Sequence, residues 1–290
     1  MLVGCLFLLA LVVSGCSSSK AQGFTFKADV FLKALNPTSP GVTGVLYLTI
    51  LISVVAQLIG VALGVLAALG KMARILPLRI IANTYIWFFR GTPLLVQLVF
   101  FYYGFGAAHL WGWDDVTLFG FLIPGVIVAA MAILGVNEGA YMAEIIRAGI
   151  LAVDPGQTEA AKSLGMTYRQ NMTRIVLPQA ARVIIPPLGN EFNNMLKTTS
   201  LIFVLGVVET YNHYVILQGQ NFRPFEAYAA CALWFLLMTT IWGFVQGAIE
   251  RRFARGTATG SSAARGPGLR SRLFGSRPQA ETGIDALGGH

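Results

Sequence analysis

Long apolar runs separated by short charged ones set the plan of this chain. The first run covers about 42–69 and is closed by Lys71, Arg74 and Arg79. At 1.5 Å per residue it is long enough to cross a bilayer as a helix, and cations beside an apolar run mark its cytoplasmic end. Residues 80–91 are aromatic, carry Arg90, and suit an interfacial piece. Thr92 and Pro93 then open a second run to about Ala108. The turn that follows holds Trp111 and Trp113, residues that favour headgroup depth, with Asp114 and Asp115. The third run, about 118–146, ends at Arg147. The fourth, about 179–207, is predicted to be broken by Pro186, Pro187 and Gly189. Residues 208–225 form an outer segment. The last run, about 226–249, is closed by Glu250, Arg251 and Arg252. The pattern predicts an all-α polytopic membrane protein with five core transmembrane helices, the N-terminus outside and the C-terminus cytoplasmic. Gly60, Gly64 and Gly70 are placed to let neighbouring helices approach closely.

One segment departs from this alternation. Residues 154–178 are polar, lie between two spans on the cytoplasmic side, and read as two short helices in tandem. Asp154 precedes Pro155 and stands three residues before Gln157; Thr167 stands three before Gln170. Both match the capping-box spacing, in which the cap and the residue three positions on satisfy each other's free amides. Gly165 occupies the place of a left-handed helix stop, and Pro178 is predicted to end the second helix. Ala160, Ala161 and Leu164 share a face beside Glu159. Small side chains on an exposed helix let it enter a partner's groove.

The two ends carry different signals. Residues 1–16 read either as a secretory signal, or as a short apolar helix. The signal reading ends in Val13-Ser14-Gly15-Cys16, which resembles a lipoprotein box with Cys16 as the lipidated residue. Residues 17–41 read as a polar extracytoplasmic linker or short surface helix. From residue 251 to the end, seven Arg stand against Glu281 and Asp285, in a Gly/Ser/Ala-rich tail too polar to bury a core. This tail, 251–290, is expected to be a basic, disordered cytoplasmic segment.

Composition narrows the function classes. With 55% hydrophobic and 12% charged residues, 290 residues do not make a soluble domain. The net charge of +8 sits in the tail and beside the spans, which points to membrane lipid and not to nucleic acid. Three cysteines without short spacing imply neither a zinc site nor a disulfide framework, and His109, His213 and His290 are scattered. Gly64 to Met72 has one residue too many between its glycines for a phosphate loop, and Met72 stands where a magnesium-binding hydroxyl is needed. The chain carries no visible catalytic constellation and no metal site.

The defined positions of 154–178 carry a resemblance. Glu159-Ala160-Ala161, then Gly165, Ile175 and Leu177-Pro178 are spaced as in the EAA loop of ABC importer membrane subunits. Further stretches are similar to the histidine/glutamine-type branch, which imports polar amino acids. They are Arg90-Gly91-Thr92-Pro93-Leu94-Leu95-Val96-Gln97, residues 140–147, Leu177-Pro178-Gln179-Ala180, residues 186–192 and residues 196–201. The resemblance covers 42–250 and implies a type I ABC importer permease fold in the bacterial cytoplasmic (inner) membrane. It implies that Gly156, Glu159, Ala160, Ala161, Leu164 and Gly165 couple the chain to an ATPase. The implied partners are a dimer of ATP-binding subunits, a second permease subunit, identical or homologous, and an extracytoplasmic amino-acid-binding protein. The chain itself would hold no cofactor, ATP and magnesium being bound by the ATPase. Asn137-Glu138-Gly139 departs from the family, where small neutral residues are commoner.

Ionisable groups at membrane depth face protein or a water-filled path. Asn137 and Glu138 on the third span, with Asn194 and Lys197 on the fourth, are candidates for a substrate path. Glu144 and Glu191 are expected to tie helices, Glu144 through Arg147. An ion-coupled secondary amino-acid transporter or a channel would also use buried charges and broken helices, but it has no use for the capped cytoplasmic hairpin. A membrane-tethered sensor would leave five spans unexplained.

Overall fold

The computed structural model describes residues 25–39, 41–118 and 120–254. The expectations for residues 1–16, Cys16 included, and for the tail beyond 254 lie outside the described residues. A short helix α1 (Ala28–Leu35) precedes the long α2 (Val42–Met72), which is followed by α3 (Leu76–Gly91). After a bend come α4 (Leu94–Val99), a π-helical turn (Phe100–Gly104) and α5 (Phe105–Ala107). Strands β1 (Val116–Leu118) and β2 (Phe121–Ile123) lead into α6 (Gly125–Leu151). Next come α7 (Pro155–Ser163) and α8 (Tyr168–Asn171), then a π turn (Met172–Val176) and α9 (Leu177–Thr198). A 3-10 turn (Thr199–Leu205), α10 (Thr210–Asn221) and α11 (Pro224–Ala254) complete the order. By length and apolarity α2, α6 and α11 can each cross a membrane. Two bent pairs, 76–107 with a 107° bend and 168–221 with a 53° bend, can each supply one more crossing.

The centre is the pairing of α2 with α6. Glycines of each helix receive side chains of the other. A methyl at Gly60 would lie 2.6 Å from Glu138 Cγ, and one at Gly64 would collide with Met142. In return, Gly135 receives Ile59 and Gly139 receives Leu63. In a membrane, where apolar burial gains little over lipid, such close van der Waals packing is what holds helices together. The core continues through Ile52, Ala56, Leu98, Ala130, Leu134, Met195 and Ile202. Of the most apolar stretch of α6, 67% is buried within the chain, against 39% for α2 and 17% for α11. So α6 is the axis, and α2 and α11 turn much of their apolar surface outward. Glu144 braces the same pair at its charged end, bonding Arg147 at 3.2 Å as expected and also Lys71 at 2.5 Å.

Three expectations need correction. The third span starts at Gly125, not 118, and runs on to Leu151. Residues 116–123 pair as an antiparallel hairpin with Val116 opposite Ile123, and Gly120 sits in the left-handed region at its turn. Asp115 then caps α6 from ten residues away by accepting the Gly125 amide at 2.7 Å. The fourth span is not broken at Pro186, Pro187 or Gly189, because α9 is continuous through all three. A neighbouring helix steadies that stretch: Trp242 of α11 donates to the Gly189 carbonyl at 2.8 Å, and Gln246 to that of Pro186 at 3.4 Å. The interruption comes later, at the 3-10 turn and Gly206. Pro178 does not end a helix either; it opens α9. The π turn before it widens the backbone where the proline lacks its amide, and Gln179 Nε2 donates to the Ile175 carbonyl at 2.9 Å.

The opposite end is closed by buried polar contacts. Glu209 caps α10, accepting from the amides of Tyr211 (2.8 Å) and Asn212 (3.0 Å). Thr49 of α2 and Thr210 meet at 2.8 Å. Helix α1 docks on α10 and α11: Tyr214 donates to the Ala34 carbonyl at 2.8 Å, and Glu226 accepts the Lys27 amide at 3.0 Å.

Candidate functional site

Two places gather the candidate residues, and α6 joins them. The first is the hairpin after α6. Asp154 caps α7 by accepting the Gly156 amide at 2.8 Å. The reciprocal bond from Gln157 expected of a capping box does not form there, because the Asp154 carboxylate turns to the nearer amide. Thr167 and Gln170 do form the full box at the start of α8. Between them the chain turns at Gly165, φ 73°, with Met166 N–H bonding Ala161 O at 3.0 Å and Gly165 N–H bonding Lys162 O at 2.9 Å. That pair of bonds is a Schellman stop, which satisfies the last carbonyls of α7. The turn therefore needs no neighbour to hold its shape.

With its backbone satisfied, the hairpin presents side chains. Gly156, Glu159, Ala160, Leu164 and Gly165 are exposed. Ala161 is not: it is 3% exposed and packs into the chain, so the face shared by Ala160, Ala161 and Leu164 is split. At the apex Leu164 is 82% exposed and Tyr168 76%. Tyr168 is of the aromatic type enriched at contact anchors, and it stands beside Leu164 on a turn that holds its own shape. Tyr168 was not among the residues picked out from the sequence; its place directly after the Thr167 cap is the signal that could have found it.

The second place is a cavity of about 330 Å³ between α4, α6 and α9. Asn137, Glu138 and Asn194 line it together with Tyr141, Glu191 and Thr198. Glu138 lies at the midpoint of α6, is 6% exposed, and its Oε1 has no hydrogen-bond partner. A buried carboxylate oxygen left bare beside a cavity is expensive without a ligand or water. Asn137 is committed elsewhere, donating to Phe89 O at 3.1 Å and Gln97 Oε1 at 2.9 Å. Lys197 does not join this group; it lines a separate cavity with Tyr211 and Tyr228. Glu191, expected to tie helices, faces the cavity instead.

The stretch from Arg90 to Gln97 builds the wall beside it. Gln97, 2% exposed, donates to Phe89 O (3.0 Å), Thr92 O (3.1 Å) and Thr92 Oγ1 (2.7 Å). These bonds pin the 107° bend between α3 and α4. Gly64 to Met72 is continuous helix and forms no phosphate-binding loop.

Comparison with known proteins agrees with this geometry. The family model "Binding-protein-dependent transport system inner membrane component" matches residues 60–255. The chain is 39% identical to the arginine transport system permease protein ArgU of Corynebacterium glutamicum, over 72% of this chain and 67% of that protein. It is 37% identical to the L-cystine transport system permease protein TcyB of Bacillus subtilis, over 74% and 88%. Among solved structures, an amino acid ABC transporter crystallised with histidines aligns at TM-score 0.67 and 38% identity, covering 79% of this chain and all of that one. The inward-facing MetNI methionine ABC transporter, at 16% identity and TM-score 0.57, shares the fold. The chain belongs to the binding-protein-dependent transport system inner membrane component family, as a permease of the ABC importer class.

Proposed function

We propose that this chain is the membrane permease subunit of an ATP-driven importer of polar amino acids in the bacterial inner membrane. Helices α2, α6 and α11 and the two bent pairs form five crossings, with the N-terminus outside and the C-terminus in the cytoplasm. The charges that close α2 and α11, Lys71, Arg74, Arg251 and Arg252, support that orientation. The 154–178 hairpin docks in an ATPase subunit, with Leu164 and Tyr168 as its anchors. ATP and magnesium are held by a dimer of those subunits, a second permease copy or homologue completes the pore, and an extracytoplasmic binding protein delivers substrate. Closure of the ATPase dimer moves the hairpins and shifts the path between outward- and inward-facing states. Relatives that transport arginine and L-cystine support the substrate class.

The observation that carries this reading is the self-sufficient hairpin with its exposed apolar apex. Reconstitution with the ATPase and binding protein tests it. Gly165→Pro and Glu159→Lys should abolish ATPase assembly and uptake; if both variants assemble and transport, the coupling role is wrong. Uptake driven by an ion gradient alone, without ATP, would instead identify a secondary transporter.

A further inference from the structure

The end of the bundle opposite the hairpin carries an aromatic patch that the chain itself does not cover. Phe222, in the turn between α10 and α11, is 86% exposed. Phe225, in the first turn of α11, is 58% exposed, and Phe26, just ahead of α1, is 47%. Phe26 and Phe225 meet edge to face at 6.1 Å, and Arg223 donates to the Thr25 carbonyl at 3.0 Å. The α10–α11 turn and the approach to α1 are therefore one surface. Leu32, 61% exposed, extends it along the outward side of α1, about 200° around the helix from buried Ala34. Phe222 is held in the left-handed region at φ 51°, ψ 37°, its N–H bonding the Gln218 carbonyl at 2.8 Å. Glycine or asparagine closes a helix this way at little cost, and a bulky side chain does not. Packing within the chain does not offset that strain, because most of the ring is bare. A strained residue that presents its side chain outward calls for a partner.

Lipid does not cover the patch. The 31 residues of α11 extend about 46 Å, against about 30 Å of hydrocarbon. With Arg251 and Arg252 at the cytoplasmic headgroups, about 20 residues carry the helix through the core, to the level of Cys231. Pro224 and the aromatic turn before it stand about 10 Å further out, past a headgroup layer of roughly 5–7 Å. The rim is polar. Lys27 and Lys33 are exposed and in no ion pair among the described residues, against one exposed carboxylate on α1, Asp29. Between α1 and α10 a cavity of about 430 Å³ adds His213, Gln220 and Asn221. An apolar, aromatic centre inside a polar rim is the anatomy of a protein docking site.

We propose that this patch docks the extracytoplasmic binding protein, with Phe222 and Leu32 as anchors and an acidic rim on the partner facing Lys27 and Lys33. This rests on the importer reading above. The family match begins at residue 60, so α1 lies ahead of it and its part in docking goes beyond what that match supplies.

The test uses the complete permease–ATPase complex in lipid nanodiscs, titrated with its substrate-loaded binding protein. Phe222→Gly removes the ring and relaxes the left-handed turn at once. It should melt no lower than the unmodified complex, yet bind the partner at least tenfold more weakly. Leu32→Ser, and Lys33→Glu at low salt, should each weaken binding at least threefold. Leu236→Ala, at a side chain 60% exposed on α11 but at hydrocarbon depth, should stay within twofold. Affinity of Phe222→Gly within twofold of the unmodified complex, the result if the patch meets lipid instead, overturns the proposal. So does an equal loss in Leu236→Ala. If Phe222→Gly fails to assemble, Leu32→Ser and Lys33→Glu, at exposed side chains, decide. ATP-driven uptake by the unmodified complex is read separately: its absence refutes the importer reading, whereas uptake with unchanged Phe222→Gly affinity refutes only the docking surface.

Discussion

Replacing Gly64 by alanine tests the central claim of the fold, that α2 and α6 touch through their glycines. A Cβ at Gly64 meets Met142 Cβ and also the α6 backbone, with Met142 C at 3.0 Å and Ala143 N at 3.1 Å. Backbone cannot turn aside, so the helices must separate, and overpacking of this kind costs about 1–3 kcal/mol. Alanine also favours the helix over glycine by roughly 0.5–1 kcal/mol, which blurs the result for one variant alone. Gly44 on the same helix supplies the control, since a Cβ there meets nothing within 4 Å. The propensity gain is common to both, so the difference between Gly44→Ala and Gly64→Ala isolates the clash at about 1–3 kcal/mol. Gly70→Ala, 3.2 Å from Ala82 Cβ, should fall between them. Equilibrium unfolding in mixed detergent micelles measures all three. Gly64→Ala as stable as Gly44→Ala would refute the close α2–α6 contact.

Four further outcomes are expected. Leu164→Ser should leave stability within about 0.5 kcal/mol, as at other exposed positions, yet weaken ATPase binding at least tenfold in a pull-down titration. Gly165→Val places a β-branched residue at φ 73° and should cost about 1–2 kcal/mol, visible as faster limited proteolysis of the hairpin. Glu144→Gln should cost no more than about 1 kcal/mol, because its partners Lys71 and Arg147 are partly exposed, and the difference in melting temperature should shrink in high salt. Glu209→Ala removes a fully buried cap and should cost about 1–3 kcal/mol, with faster hydrogen exchange at Tyr211 and Asn212.

The long spans and the hairpin were legible because each depends on local order: continuous apolar runs, cap spacing, and a glycine where φ is positive. Errors arose where a distant element intervenes. Pro186 and Pro187 look like helix breakers, but Trp242 and Gln246 approach the same stretch from α11, more than fifty residues on. The 116–123 hairpin is a short apolar run that fits strand or helix equally well, and Asp115 caps α6 across it. The cavity was half legible. At about 100° per residue, Glu191 and Thr198 fall within roughly 20° of each other on α9, while Lys197 lies about 120° from Glu191. Helical phase therefore favoured Glu191 over Lys197. Asn137 lines the cavity, but its bonds to Phe89 and Gln97 depend on a bend that no local pattern announces.

The docking of α1 bears on how the protein is made. Its partners are Tyr214, Arg223 and Glu226, and Glu226 lies 199 residues beyond Lys27. At 5–20 residues per second, that distance is roughly 10–40 s of synthesis. During that interval α1 has no surface to settle on, while α2 and α6 are already available to pair. Biogenesis thus runs from the middle of the bundle outward, and the earliest of the described helices is among the last to find its place.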